Sequence, residues 1–237
     1  GTDTFSDFEN VLGGAGNDTI TGSDAANFIS GGAGRDSVVT ALGNDTIVFD
    51  ALDTVDAGGG QDVLAIQTTS GVVDFSNNTL LPNTQFKGIE EIDLTGHGVQ
   101  AIAMAVNDVL AFADDTDTLK IHGDNVDQLT LRGLWQLSGT QPVSYNGGAV
   151  QSYVKLVMTG TTAVVLVDPA VTLTIDELDS LEENVEAMRK VLKAGDFEAA
   201  ARLDFEFHQR ILLASGNQAM VSIGRGSFGS TNSSTGS

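Results

Sequence analysis

The chain has 237 residues, 41% of them hydrophobic, and carries 32 acidic against 11 basic side chains for a formal net charge of −21 at pH 7. That length and apolar content support one sizeable core, or a core with a small satellite, and exclude disorder throughout; the charge makes a polyanionic nucleic acid a poor partner and favours cations that relieve self-repulsion. There is no cysteine, so neither a disulfide framework nor a thiolate zinc site is available, and no apolar run approaches the roughly 18 residues that a membrane span needs.

From Gly1 to Leu64 the sequence is rich in Gly and Asp and repeats itself. GGAGNDTIT (Gly13–Thr21), GSDAANFIS (Gly22–Ser30), GGAGRDSVV (Gly31–Val39) and TALGNDTIV (Thr40–Val48) form four consecutive nine-residue units. Asp18, Asn27, Asp36 and Asp45 hold their sixth positions, and Ile20, Ile29, Val38 and Ile47 their eighth. After one shortened unit around Asp53 and Val55, the pattern returns in AGGGQDVL, ending at Leu64. Each unit reads as a tight glycine turn followed by a very short strand with one inward apolar residue. Two units then make one coil, which stacks Asp18 over Asp36 on one edge and Asn27 over Asp45 on the other. Glycines that reach positive φ expose backbone carbonyls, and stacked carboxylates converge beside them. Calcium prefers that kind of oxygen-rich environment, and without a cation the carboxylates repel one another. The expected ligands are Gly14, Gly16, Gly32, Gly34 and Gly43 in the turns, with Asp18, Asp24, Asn27, Asp36, Asp45, Asp53 and Asp62. Ser23–Ala26 and Thr40–Leu42 replace glycines, so the Asn27/Asp45 edge is expected to bind more weakly than the Asp18/Asp36 edge.

These units resemble the calcium-binding nonapeptide repeats of RTX proteins, G-G-x-G-x-D-x-apolar-x, a solenoid motif. The resemblance implies a parallel β-roll with Ca2+ as its cofactor. Residues 65–173 are rich in Val, Leu and Thr. GIEEIDLTGHG (Gly88–Gly98), VNDVLAFADDTDTLKIHGDNVDQLTLRGLW (Val106–Trp135) and TAVVLVDPAVTL (Thr162–Leu173) resemble a module near the C-terminus of large RTX adhesins and similar type I-secreted surface proteins. Alternation makes Leu119/Ile121 and Leu129/Leu131 two half-buried strands joined by the turn HGDNVDQ. Asp124 and Asp127 on that turn read as solvated carboxylates, with a further cation site as the alternative. Asp114, Asp115 and Asp117 read as an exposed acidic loop and Trp135 as a core anchor. His97 and His122 read as isolated.

From Thr174 to Ile223 the spacing turns helical. Leu178, Leu181, Val185, Met188 and Leu192 stripe one helix, Gly195 ends it, Asp196 caps the next, and Leu203, Phe207, Ile211 and Ala214 stripe the second. The pair is expected to pack as an antiparallel hairpin. Asp204 and His208 share one face. The segment from Asp176 to Met220 resembles part of the FadR-like effector domain of GntR-type transcription regulators, in which the matching Asp and His belong to a metal site completed by two later histidines. No histidine follows His208 here, so the pair reads as a surface feature. Gly224–Ser237 reads as a disordered tail. Within the end of the chain, IGRGSFGS satisfies G-x-G-x-x-G and resembles a kinase glycine-rich loop, but it lacks the lysine, aspartate and sheet that such a loop requires. Neither H-E-x-x-H nor G-x-S-x-G occurs.

The expected fold class is therefore mainly β: a parallel β-roll over residues 1–64, continued by a β-rich domain over 65–173, with a helical hairpin at 174–223 and a disordered tail. The expected function is that of a non-enzymatic, calcium-binding structural or adhesive module. It would belong to a type I-secreted bacterial protein, extracellular or on the cell surface, with calcium ions and surface or self-association contacts as partners. The first residues carry no basic, apolar leader, which suits that route, and the chain reads as a fragment. Two alternatives remain open: an effector-binding fragment of a GntR-type regulator, and the folding or secretion appendage of an unseen enzyme.

Overall fold

The computed structural model describes residues 2–67, 71–77, 81–82, 84–144, 150–158, 160–176 and 178–204. The chain forms two units, Gly1–Ile175 and Asp176–Ser237.

In the first unit each nine-residue repeat becomes a glycine turn and a strand of three or four residues, preceded by one strand of five. These strands are β1 (Thr4–Phe8), β2 (Asn10–Leu12), β3 (Thr19–Gly22), β4 (Phe28–Ser30), β5 (Ser37–Val39), β6 (Thr46–Val48), β7 (Thr54–Asp56) and β8 (Val63–Ala65). Odd strands stack in parallel in one sheet and even strands in another. Ile20 lies beside Val38 and Ile29 beside Ile47, and the shortened unit then places Val38 beside Val55 and Ile47 beside Leu64. One residue per strand points inward, because side chains alternate across a strand and the strand is only three residues long. Val11, Ile20, Ile29, Val38, Ile47, Val55 and Leu64 form this single apolar file, none more than 4% exposed. A lone coil buries too little to fold, so stability comes from stacking.

The stack does not end at Leu64. The later elements are β9 (Val72–Asp74), β10 (Phe86–Lys87), β11 (Glu91–Asp93), β12 (Ala101–Ala105), α1 (Val106–Phe112), β13 (Thr118–His122), β14 (Gln128–Arg132), β15 (Trp135–Ser144), β16 (Val150–Met158), β17 (Val164–Val167) and β18 (Thr172–Asp176). β11 pairs in parallel with β8, β13 with β11, and β17 with β13, so the sheet of even strands runs straight on. β10 adds to β7 and closes the sheet of odd strands. β9, β12, β14 and β18 form a third sheet. One core cluster extends from Val11 to Val171 across residue 64.

The coils widen here: Leu64 lies beside Ile92, and Ile92 beside Ile121. The extra width is filled by Phe49, Phe75, Phe86 and Phe112, whose ring centroids lie 5.1–6.1 Å apart in edge-to-face or tilted pairs, arrangements that aromatic quadrupoles favour. Leu119/Ile121 and Leu129/Leu131 are indeed buried alternate positions. Their strands β13 and β14 nevertheless belong to different sheets, and the turn between them is a solenoid corner. Trp135 is 3% exposed and its indole N–H donates to the Arg132 carbonyl, as a core anchor should. β15 and β16 form an antiparallel hairpin that extends the long sheet beyond β17.

In the second unit, α2 (Leu178–Lys193) ends in a Schellman turn. Gly195 takes φ +79°, its N–H reaches the Leu192 carbonyl and the Asp196 N–H that of Val191. Asp196 then caps the helix at 197–204 by accepting the Ala199 N–H through Oδ1 at 3.0 Å. Val185 and Met188 of the expected stripe are half-buried, whereas Leu192 is 46% exposed. Phe207, His208, Ile211, Ala214, the IGRGSFGS stretch and the tail lie outside the described residues.

Ala41 holds the turn position that glycine holds in Gly14 (φ +101°) and Gly32 (φ +98°), and it is forced to φ +74°. A side chain in this left-handed region is strained. Ala41→Gly is therefore expected to stabilise the first unit by about 0.5–1 kcal/mol despite the added unfolded-state entropy, read as a shifted denaturant midpoint with an unchanged slope.

Candidate metal centre

The sixth-position side chains form two ladders, one along each edge of the stack. On the first edge, Oδ1 of Asp18 accepts the Asp3 N–H, Oδ1 of Asp36 the Asp18 N–H, and Oδ1 of Asp53 the Asp36 N–H, at 2.8–2.9 Å. On the second, Asp45 accepts the Asn27 N–H, Asp62 the Asp45 N–H, and Glu90 the Asp62 N–H, at 2.7–2.9 Å. Each coil thus lends one amide to the carboxylate of the next. Backbone pairing fixes the register, and the two-residue offset from the inward apolar residue fixes where each carboxylate stands.

The ladder satisfies only half of each carboxylate. Oδ2 of Asp18, Asp36, Asp45 and Asp62 is buried without a hydrogen-bond partner, although these residues are at most 2% exposed. Burying acceptors in this way is costly. The oxygens sit tightly beneath the first residue of their own turn: a Cβ on Gly13 would lie 2.7 Å from Asp18 Oδ2, and one on Gly31 would lie 2.2 Å from Asp36 Oδ2. The turn carbonyls are equally close, since a Cβ on Gly34 would lie 1.9 Å from the Gly16 carbonyl oxygen and one on Gly32 would lie 2.2 Å from that of Gly14. Glycine is therefore required at Gly32 and Gly34 for the turns to stack. Among the described residues no three acidic or imidazole side chains converge on one point. A cation here would take one carboxylate from each of two stacked turns and complete its oxygen shell from backbone carbonyls. This donor set of hard oxygens, with orphaned acceptors in the acidic pairs Asp18/Asp36 and Asp45/Asp62, fits calcium.

The remaining expected ligands fall differently. Gly14, Gly16, Gly32, Gly34 and Gly43 all take positive φ, between +98° and +149°. Asp53 and Asp62 join the ladders although the repeat is shortened before them. Asp24 is exposed and takes no part in the ladder hydrogen bonds. Asn27 holds its rung with an amide in place of a carboxylate.

Two turn and surface residues depart from the sequence reading. Asp127 is not solvated: it is fully buried, and both its oxygens accept backbone N–H groups, from Gln100 at 2.9 Å and Asp124 at 2.8 Å. His122 is not isolated. Its Nδ1 lies 3.0 Å from Asp168 Oδ2 and also contacts the Tyr153 hydroxyl, with the two rings stacked. His122 ends β13, Asp168 directly follows β17 and Tyr153 lies on β16, so no local spacing announces them. His97 is exposed and bonds only locally, to the Thr95 carbonyl, and Asp114 and Asp115 are exposed as expected. Asp204 is exposed at the end of the described helix, and its expected partner His208 is outside the described residues.

Residues 12–47 match the family model of the RTX calcium-binding nonapeptide repeat (4 copies). Residues 167–226 match the model of the FCD domain. No curated protein and no solved structure matches the chain. The repeat match covers Asp18, Asn27, Asp36 and Asp45; the structure adds Asp53 and Asp62 to the same ladders. The FCD match begins inside the first unit, and its opening residues include the end of β17 and β18.

Burial pushes carboxyl groups up along the stack: Asp53 to about 6, against the lowering effect of the Asp36 N–H, and Asp62 and Glu91 to about 7. Glu91 lies on β11 outside the ladders, with one buried oxygen unpartnered. Its carboxyl holds its proton more tightly folded than unfolded, so it withdraws stability as pH rises from about 4.5, fully so above about 7. Glu91→Gln is expected to raise the stability of the chain by about 1–3 kcal/mol at pH 8 and to leave it unchanged at pH 4, measured by denaturant unfolding at fixed calcium.

Proposed function

We propose that the first unit is a calcium-binding structural module of a secreted protein, and that calcium completes its fold. The observation that carries this is the set of four buried, partnerless Oδ2 atoms on stacked glycine turns, within a segment that matches a calcium-binding repeat family. Bound calcium would supply positive charge that offsets carboxylate repulsion. The chain's own residues do the rest: the amide ladders hold one oxygen of each carboxylate, the glycines let carbonyls approach, and the apolar file sets the spacing between turns. Binding and folding of the narrow coils are then one event.

An extracellular or cell-surface setting suits this chemistry, because sites of this class in extracellular modules bind at about 10⁻⁴–10⁻³ M. In that setting the module is structural or adhesive, and type I export is the route that the resemblance to RTX adhesins suggests. We read the chain as a binding and structural module rather than an enzyme.

The FCD match supports a second reading for the C-terminal unit, as an effector-binding fragment of a GntR-type regulator. In that case Asp204 and His208 bind a transition metal. Stoichiometric zinc or nickel retained by the purified chain, and lost in the Asp204→Ala/His208→Ala double variant, is the result that favours it; equal metal content in both removes it.

Calcium titration of the chelated protein, followed by circular dichroism, is expected to show a cooperative gain of β signal with a midpoint near 10⁻⁴–10⁻³ M. Full β signal in excess chelator, unchanged by calcium, would overturn the proposal. Asp36→Ala removes the central rung of the Asp18/Asp36/Asp53 edge and is expected to raise the midpoint more than Asp45→Ala, whose upstream neighbour is an amide.

A further inference from the structure

On the reading that the acidic rungs take calcium, we infer that Asn27 is a built-in replacement for a cation: its side-chain amide closes one turn of the stack permanently, without metal. Asn27 occupies the sixth position of its repeat, where Asp18, Asp36 and Asp45 stand in theirs. Its Nδ2 lies within hydrogen-bond reach of the carbonyls of Ser23 (3.0 Å) and Ala25 in its own turn and of Oδ1 of Asp45 in the next coil (3.0 Å), so its two N–H groups are shared among three acceptors. One nitrogen therefore meets two turn carbonyls and one carboxylate from the neighbouring coil, the donor set that a cation would take between acidic turns.

The orientation of the amide is fixed by its surroundings. Oδ1 accepts the Ser23 N–H at 2.9 Å while Nδ2 faces three oxygens; the flipped amide would set donor against donor and acceptor against acceptors. Ser23 and Ala25 correspond to Gly14 and Gly16 of the first repeat. There the equivalent carboxylate, Asp18, keeps a partnerless Oδ2. An aspartate at position 27 would bring an oxygen against three oxygens and recreate the same demand.

A second amide performs a similar closure on the other edge. Gln85, 8% exposed, donates through Nε2 to the carbonyls of Ala51 (2.8 Å) and Asp53 (2.5 Å) where the narrow coils give way to wide ones. Ala51 holds the turn position of Ala25 and Gly16. Each edge thus has one neutral, self-closed turn, Asn27 at the start of one and Gln85 at the end of the other, and Asn27 sets the number of ions below the number of repeats.

The test uses the full chain and radioactive calcium in equilibrium dialysis. Asn27→Asp is expected to bind one more calcium than the wild type, and its Tm is expected to rise more steeply with the logarithm of calcium concentration, as one added ion requires. Equal stoichiometry and equal steepness would sink the inference. Asn27→Ala provides a second arm that does not depend on the new site forming: at saturating calcium it is expected to bind the wild-type number of ions with Tm lowered by about 5 °C, not restored by more calcium. An unchanged Tm in that variant also overturns the inference. Wild-type protein that binds no calcium defeats the proposed function separately, while the difference between Asn27→Asp and wild type still decides the role of Asn27.

Discussion

The backbone amide that each coil lends to the carboxylate of the next is the interaction from which the rest of the first unit follows. It ties neighbouring turns together on both edges, so that the sheets are joined at their margins as well as along their strands. It also draws carboxylates into a place where each has one oxygen held and one left over. A lone buried acceptor in a chain of net charge −21 is unfavourable on two counts, desolvation and like-charge repulsion. The same geometry that orders the turns therefore creates the demand for a cation.

That demand is confined to the part of the stack with least apolar material. Narrow coils offer one inward side chain per strand, from Val11 to Leu64, and the area they bury is small. Where the coils widen, the four-phenylalanine cluster and three sheets supply a larger core, and two of the buried polar side chains there are satisfied within the protein. Asp127 has both oxygens engaged by amides, and Gln85 closes turn carbonyls with its own nitrogen. A hydrophobic core and an ionic one thus divide a single solenoid.

The C-terminal unit obeys different rules. Its helix boundaries are set locally, by a glycine at positive φ and an aspartate cap, whereas the parallel strands before it depend on partners many residues away. The FCD match spans both kinds of structure, and β18 within it is hydrogen-bonded beside β14 as part of the third sheet.

Sequence alone determined the period, the inward apolar file, the sixth-position rungs and the helix stop at Gly195, because each rests on residues fixed at short, regular offsets. Tertiary structure decided where the solenoid stops: the paired residues lie 28 apart from β8 to β11 and 29 apart from β11 to β13, no nine-residue repeat remains to be read, and only the pairing of β11 on β8 shows that the coil continues. It decided that β13 and β14 lie in different sheets, since alternation specifies which faces are buried but not which strand lies alongside. The His122–Tyr153–Asp168 cluster, drawn from two strands and the residue after a third, leaves no local signature at all. The role of Asn27 is the finest case: one nitrogen in place of one oxygen is visible in the sequence, but that it meets three acceptors depends on the stacked turns that bring Ser23, Ala25 and Asp45 around it.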